Sequence, residues 1–449
     1  MANVIKIKKG LDINLKGKAS DVLLTGGKSE SYAIVPDYYN GIIPKVVAKV
    51  GEKVKAGSVL MTDKNRPEIK FVSPVSGEVT AVNRGEKRKV LSIVVKPDAQ
   101  IEYEDFGKKN VASLKGEEIK DALLNAGLWP FIKQRPYDIV ASPAESPRDI
   151  FVSAFYSAPL APDFDFILKG QEADFQTGLD ALAKLTAGKV YVGVRKGSSV
   201  NVKGVETVEV EGPHPAGNVG VQINHIKPIN KGELVWVVNP ADVIIIGRLF
   251  NKGIADFTRL VVITGSETTE RGYIKTIGGC TISSLVTGKI LEGKEDLRII
   301  SGNVLTGTKV QKDSYLGAYD NQITVIPEGD ETFDFLGWAN PGFGEYSVSH
   351  SFPTWLMGKN KEYVLDARIK GGRRAMIMSN EYDKVFPMDI LPEYLLKAII
   401  AFDIDKMENL GIYEVAPEDF ALCEFVDTSK LEIQKIVRQG LNLLYKEMN

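Results

Sequence analysis

Between residues 31 and 96, hydrophobic and polar positions alternate in short runs, each cut by glycine or proline. Val79 and Ala81 fall on one side and Thr80 on the other, the period-two pattern of a half-buried strand. Two stretches, "GIIPKVVAKVGEKVKAGSVL" (41–60) and "GEVTAVNRGEKRKVLSIVV" (77–95), each carry Gly-Glu-Lys after an alternating run. Two such halves predict an all-β sandwich with internal pseudo-symmetry. The period then changes. In "SLKGEEIKDALLNAGLW" (113–129), Leu114, Ile119, Leu123 and Leu124 recur at helical spacing, with Ser113 as N-cap and Gly127 as stop. "DIFVSAFYSA" (149–158) reads as a buried strand, and residues 174–197 read as helix, Gly188, then the strand "KVYVGV". Strand–helix–strand order predicts a parallel sheet. A third region opens near "ADVIIIGRLFNKG" (241–253), and its later runs give strands around one short helix, a β-grasp pattern. From about 385 the chain reads helical, in "LPEYLLKAIIAF" (391–402) and again over 429–448. There Leu431, Ile433, Ile436, Val437, Leu441, Leu444 and Tyr445 share one face. "GEYSVSHSFPTWLMG" (344–358) is rich in aromatics and fits neither period.

Composition narrows the function classes. A chain of 449 residues is expected to form several domains. Hydrophobic residues make up 44% and charged ones 25%, as in ordinary globular proteins. A net charge of −2 gives no reason to expect nucleic acid as a partner. No apolar run approaches the roughly 20 residues of a spanning helix; "VIIIG" (243–247) and "LLKAIIAF" (395–402) come nearest. The N-terminus "MANVIKIKKG" lacks an apolar signal core, so a cytoplasmic location is expected, with docking on a membrane complex left open. Cys280 and Cys423 are the two cysteines, too few for the usual four-thiolate cluster or a four-cysteine zinc site. Both are expected to be free and buried. None of His214, His225 and His350 has a histidine partner at helical spacing.

The phosphate motifs fail on inspection. "TGGKS" (25–29) needs a glycine at position 22, where Val22 stands. In "GNVLTGTK" (302–309) Thr308 comes before Lys309, the wrong order, and G-x-G-x-x-G does not occur. "TDK" (62–64) resembles the setting of a lipoyl attachment lysine, which must sit at the tip of a hairpin. Three residues lie between Leu60 and Lys64 and nine between Lys64 and Pro74, so Lys64 is off-centre and reads as a solvated loop lysine. In "EGPHPAGNVG" (211–220) two prolines and three glycines surround His214; a rigid turn is the leading reading and ligand contact the other. Two loop-like stretches, "PDYYNG" (36–41) and "NAGLWPFIKQRPYD" (125–138), carry Tyr38, Tyr39, Trp129, Phe131 and Tyr137. Exposed aromatics on proline-fixed loops suit a flat apolar ligand or a protein interface, and packing between domains is the competing reading. Arg135 lies among them and could offer a hydrogen bond to a carbonyl.

Longer stretches carry a resemblance. "IKIKKGLDINLKG" (5–17), "VKAGSVLMTDKNRPEIKFVSPVSGEVTAVNRGEKR" (54–88), "LTAGKVYV" (185–192), "EGPHPAG" (211–217), "RIISGNVLTGTK" (298–309) and "EDFALCEFV" (418–426) are similar to the A-subunit family of the Na+-translocating NADH:quinone oxidoreductase. The likeness covers nearly the whole chain. More distantly, the domain order resembles the flavin- and NADH-binding subunit of respiratory complex I and the C subunit of the Rnf complex. Where those relatives have a glycine-rich flavin loop, this chain has "AGLWPFIKQRPYD" (126–138). Trp129, Pro130 and Phe131 would block a phosphate there, and Pro130 has no N–H to give. Where they have an acidic stretch, "SAPLAPD" (157–163) offers Asp163 alone, and where they bind a cluster only Cys423 remains.

The resemblance implies a multi-domain α/β and β chain. Its expected parts are a biotinyl/lipoyl-like barrel-sandwich domain (1–105), a Rossmann-like α/β domain (106–240), an SLBB-like β-grasp domain (241–330) and a mainly helical C-terminal domain (331–449). It further implies a peripheral cytoplasmic member of a six-subunit pump that passes electrons from NADH to quinone while exporting Na+. Flavins and iron centres are then expected in the partner subunits, none in this one, and the principal partner is expected to be a membrane subunit. The family is associated with the quinone end of the complex, so Tyr38, Tyr39, Trp129, Phe131, Arg135 and Tyr137 become quinone-binding candidates. No catalytic or metal-binding residue is expected. A flavin- or NAD-dependent dehydrogenase and an acyl or biotin carrier are the alternatives.

Overall fold

The computed structural model describes residues 4–291, 293, 296–330, 342–358 and 360–448. The expected division at 330/331 borders residues outside that set. Near the N-terminus, a four-stranded and a three-stranded antiparallel sheet form the sandwich that the alternation predicts. Its longest strand, Gly77–Arg84, pairs with Val90–Pro97, and a bulge falls between Val79 and Ala81. The alternation breaks there: Val79 is buried and Ala81 only half-buried. Lys64 is exposed and follows directly on the strand Val59–Asp63, away from the middle of the connection to Lys70–Val72. Its neighbour Asp63 is 1% exposed and accepts hydrogen bonds from Ile43 N and Arg66 Nε.

The central sheet has seven strands. In order these are Val4–Lys6, Glu206–Glu211, Val190–Arg195, Ile150–Ala154, Val235–Val238, Ile132–Arg135 and Ile139–Val140. The first five run parallel, Ile132–Arg135 runs against them, and Ile139–Val140 pairs antiparallel with Ile132–Arg135. All five residues of Ile150–Ala154 are buried, as expected of a strand covered on both faces. The helices Glu172–Ala183 and Pro240–Lys252 pack together on one face. A Cβ on Gly178 would lie 2.1 Å from Val243 O, and one on Gly247 would lie 1.7 Å from Asp174 O, so the two backbones touch. The other face carries the helix Val219–Ile226, which shares a core with the C-terminal helices.

Several elements cross the expected divisions. Val4–Lys6 joins the central sheet, and Leu23–Leu24 joins the third sheet beside Gly272–Ile277. Pro240–Lys252 belongs to the central layer, started by Asn239, whose side chain accepts from Ala241 N, with Pro240 in the first turn. Ser113 is not the N-cap of the next helix. It sits in the turn Val111–Ser113, and the helix Gly116–Asn125 starts after Lys115, whose N–H donates to Glu118 Oε2. Gly127 does follow its end, with φ +67°.

The third unit is the expected β-grasp: a six-stranded mixed sheet with the short helix Ile282–Val286. Within it, Arg298 and Lys309 hold the Glu328 carboxyl down at about 2. Because the folded value lies below the ordinary 4.5, this stabilisation is present above pH 4.5 and is lost as pH falls toward 2. Glu328→Gln is therefore expected to unfold at lower urea than the wild type at pH 7, with the gap closing by pH 2. A gap that persists at pH 2 would assign the effect to packing. The C-terminal helix Ile433–Met448 buries Ile433, Val437, Leu441 and Leu444 on the expected face.

Candidate functional site

The chain passes outward from Ile150–Ala154 to Val190–Arg195 and Glu206–Glu211, then returns to add Val235–Val238 on the opposite side of Ile150–Ala154. Strand order reverses between these two neighbours, so a crevice opens beyond their carboxyl ends, the usual ligand site of such sheets. A cavity of about 420 Å3 occupies that place. Phe131, Lys133, Tyr156, His214, Asn239 and Tyr319 are among its walls. The volume lies within the range of small-molecule sites.

The loop that replaces a glycine-rich turn is closed. Gly127 N, Leu128 N and Phe131 N donate to Leu124 O, Leu123 O and Leu128 O. Ile132 N is spent on Trp129 O, and Pro130 has no N–H. A phosphate cradle needs successive free N–H groups, and no two neighbours in this turn offer them. Trp129 is 0% exposed; its indole N–H donates to Ala141 O at 2.8 Å and its ring meets Trp236 edge-on at 5.3 Å. Asp163 caps the short helix Phe164–Leu168 through Asp165 N.

The six residues singled out in the sequence separate into groups. Tyr38, Tyr39 and Phe131 line a pocket of about 50 Å3, room for a water or two but not for a six-membered ring. Tyr39 packs edge-on against Phe71 at 4.7 Å and Tyr319 at 5.7 Å, and Phe131 stands 6.4 Å from Tyr319. Burial pushes the Tyr38 hydroxyl up to about 12 and those of Tyr39 and Tyr319 higher, so all three stay protonated. Phe131 and Arg135 line the larger cavity. Trp129 and Tyr137 line neither; Tyr137 packs on Tyr445 at 5.2 Å. The aromatics are not the exposed loop residues expected from sequence: Tyr38 and Tyr137 are half-buried, Trp129 and Phe131 are core residues, and Tyr39 packs against the core.

Arg135 is 2% exposed and fully engaged at its terminal nitrogens. Nη1 meets Asp419 Oδ2 at 2.8 Å and donates to Glu414 O, while Nη2 meets Glu418 Oε1 at 2.9 Å. Burial pushes the Asp419 carboxyl up against the pull of Arg135. The guanidinium ties the central sheet to the C-terminal segment through both terminal nitrogens.

His214 is 4% exposed. Its backbone N–H donates to Asp12 Oδ1 and its Nδ1 lies 3.0 Å from Ser157 Oγ, which itself accepts from Gly217 N. Burial pulls its pKa down to about 4, so the ring is neutral at pH 7. Sequence reading missed Lys133, Tyr156, Ser157, Asn239 and Tyr319. The signal that could have found four of them is position: Lys133 lies within a sheet strand that borders Val235–Val238, and Tyr156, Ser157 and Asn239 follow directly on the two buried strands that flank the switch point.

Among the described residues no group of three or more His, Cys, Asp or Glu side chains is placed to hold a metal ion. Cys280 and Cys423 are free and buried in separate cores. Among those residues no helix is long and apolar enough to cross a membrane.

Comparison with known proteins fits this architecture. Three family models match: the NqrA N-terminal barrel-sandwich hybrid domain over residues 5–98, the NqrA second alpha/beta domain over 114–255, and the NQRA C-terminal domain, an SLBB model, over 260–312. The A subunit of the Na(+)-translocating NADH-quinone reductase of Neisseria meningitidis serogroup A is 37% identical across 99% of this chain and 100% of that protein. Its counterpart in Yersinia pestis bv. Antiqua is 36% identical over the same shares. A crystal structure of an NAD+-reducing [NiFe]-hydrogenase in the H2-reduced state aligns with a TM-score of 0.35 at 12% identity, over 49% of this chain and 48% of that one, too slight a likeness to bear on the site. With all three NqrA models matched in order and full-length relatives at this identity, the chain belongs to the NqrA family, the A subunits of the Na(+)-translocating NADH-quinone reductase.

Proposed function

We propose that this chain is a peripheral subunit of the sodium-pumping reductase, attached to the cytoplasmic face through a membrane subunit. It holds no flavin or iron of its own and contributes to the binding of quinone. Electron carriers then reside in the partner subunits, and nucleic acid is not a partner. The observation that supports the cofactor-free reading is the closed turn at 127–132, where the N–H groups of Gly127, Leu128, Phe131 and Ile132 are spent internally and Pro130 has none. The quinone reading rests on Phe131, which with Tyr319 lines the cavity of about 420 Å3, while Tyr38, Tyr39, Trp129, Arg135 and Tyr137 act on it through packing and position. The four-part division at 105, 240 and 330 belongs to the same proposal, with the N-terminal strands and the helix Pro240–Lys252 crossing its bounds.

Thermal-shift titration of the full chain tests this. A ubiquinone with one isoprenyl unit is expected to raise the melting temperature saturably, and FMN and NADH to leave it unchanged. Phe131→Ala is expected to weaken the quinone several-fold, because an aromatic contact contributes about 0.5–1.5 kcal/mol beyond burial. Saturable stabilisation by FMN or NADH would instead support a dehydrogenase.

A further inference from the structure

The aromatic stretch at 344–358, which follows neither period in the sequence, takes no part in the quinone reading. Within it Pro353–Met357 forms a tight helical turn. Thr354 is buried at its base, and its hydroxyl donates to Glu345 O at 2.7 Å. A turn of this kind points successive side chains roughly 120° apart, so lying flat on the protein it would bury one of any three in a row. Trp355, Leu356 and Met357 are each more than half exposed. The turn therefore stands clear of the body, with three large apolar side chains at its tip. Phe343 is also more than half exposed and joins them: Lys361 Nζ donates to Phe343 O at 2.7 Å and to Met357 Sδ at 3.1 Å. The His350 ring stacks on Trp355 at 5.0 Å. An apolar group of this size left in the open marks a surface that meets something else.

The charges beside it are cationic. Glu345, whose carbonyl anchors Thr354, pairs through its carboxylate with Lys370, so the stretch after Ile369 runs next to the turn. That stretch reads "IKGGRRAMIM" (369–378), with Lys370, Arg373 and Arg374 and no carboxylate, in a protein whose net charge is −2. Over 346–378 the sequence sets Lys359, Lys361, Arg368, Lys370, Arg373 and Arg374 against Glu362 and Asp366 alone. Ile369, Lys370, Arg373 and Arg374 are all exposed. Arg373 shares the Glu432 carboxylate at 3.2 Å, while among the described residues no carboxylate pairs with Arg374 or Lys361.

This make-up selects the partner. A stable protein interface takes about 20–30 residues a side with matched shape, and a convex tip of one turn offers no such face. A lipid surface is fluid and receives a tip without a matching pocket. An indole suits the headgroup level, leucine and methionine suit the acyl boundary below it, and flanking lysine and arginine suit lipid phosphates.

We propose that the turn Pro353–Met357 inserts into the surface of an anionic phospholipid bilayer, with Trp355, Leu356 and Met357 as the inserted side chains and Lys361, Arg373 and Arg374 meeting lipid phosphates. The inference goes beyond the peripheral-subunit reading, because it gives the chain a lipid contact of its own besides its membrane partner.

The test uses the full chain and vesicles of phosphatidylglycerol and phosphatidylcholine in equal parts, with phosphatidylcholine vesicles as the control. The wild type is expected to sediment with the mixed vesicles, to bind the neutral ones about ten-fold more weakly, and to be released as salt rises. Trp355→Ser, Leu356→Ser and Met357→Ser combined, all at exposed positions, should cost about ten-fold or more in affinity with the thermal unfolding curve unchanged. Arg373→Gln with Arg374→Gln should remove most of the preference for anionic vesicles. A wild-type chain that ignores the mixed vesicles, or a triple serine variant that binds them as the wild type does, overturns the inference. If the wild type ignores vesicles and the triple variant loses either a dimer of the chain or co-purification with the membrane subunits, the tip is a protein contact and the lipid inference fails. The peripheral-subunit reading stands in each of these cases, and falls if the wild-type chain itself does not co-purify with the membrane subunits.

Discussion

Replacing Asp419 by alanine is expected to destabilise the protein by about 3–5 kcal/mol, because it strands a buried guanidinium. Arg135 is 2% exposed, and Asp419, equally enclosed, is its nearest carboxylate at 2.8 Å. Glu418 touches the other terminal nitrogen but reaches toward solvent, so it compensates in part. Asp419 also accepts from Ala416 N at the start of the turn Pro417–Phe420, so its loss loosens the base of the C-terminal helices. A chain of several parts need not unfold in one step, so hydrogen exchange across 417–426 is the readout. The double variant Arg135→Met/Asp419→Leu should recover most of the loss, since an apolar pair removes the desolvation cost on both sides. No recovery would mean that shape, and not charge, decides the site.

Trp129→Ala is the second large effect, at about 3–5 kcal/mol. The side chain is 0% exposed, stands edge-on to Trp236, and satisfies Ala141 O through its indole N–H. Removing it leaves a cavity and an unpaired carbonyl together. Urea denaturation followed by circular dichroism measures the loss. Quinone affinity per folded molecule should change little, which separates Trp129 from Phe131. A stable Trp129→Ala protein with lost quinone binding would reverse those roles.

Much of the fold is legible because it is written in local periods. The sandwich follows from residues alternating at spacing two, the central strands from apolar runs, and the last helix from a stripe that runs from Leu431 to Tyr445. What periodicity cannot carry is pairing over distance. Val4–Lys6 looks like any short strand, and nothing in it names Glu209–Glu211 as its partner. The helix Pro240–Lys252 is readable from Asn239 and Pro240 at its start, yet its place in the central layer depends on glycines at 178 and 247 meeting opposite backbones. The candidate site divides in the same way. The blocking turn at Trp129–Phe131 is visible in the sequence because proline and bulky rings are incompatible with a phosphate cradle. Arg135 is easily misjudged, because its acidic partners lie 283 and 284 residues away. His214 shows two roles at once: it is held in a rigid turn, as proline and glycine around it imply, and it also forms part of the cavity wall.

The cofactor-free reading is tested most directly by the visible absorption spectrum of the purified full chain, with flavin and iron assayed on the same sample after denaturation. The expected result is a colourless protein whose denatured extract contains neither. A flavin or iron centre present in stoichiometric amount in folded, full-length protein would contradict it, since the turn would then have to open to free the N–H groups of Gly127, Leu128, Phe131 and Ile132.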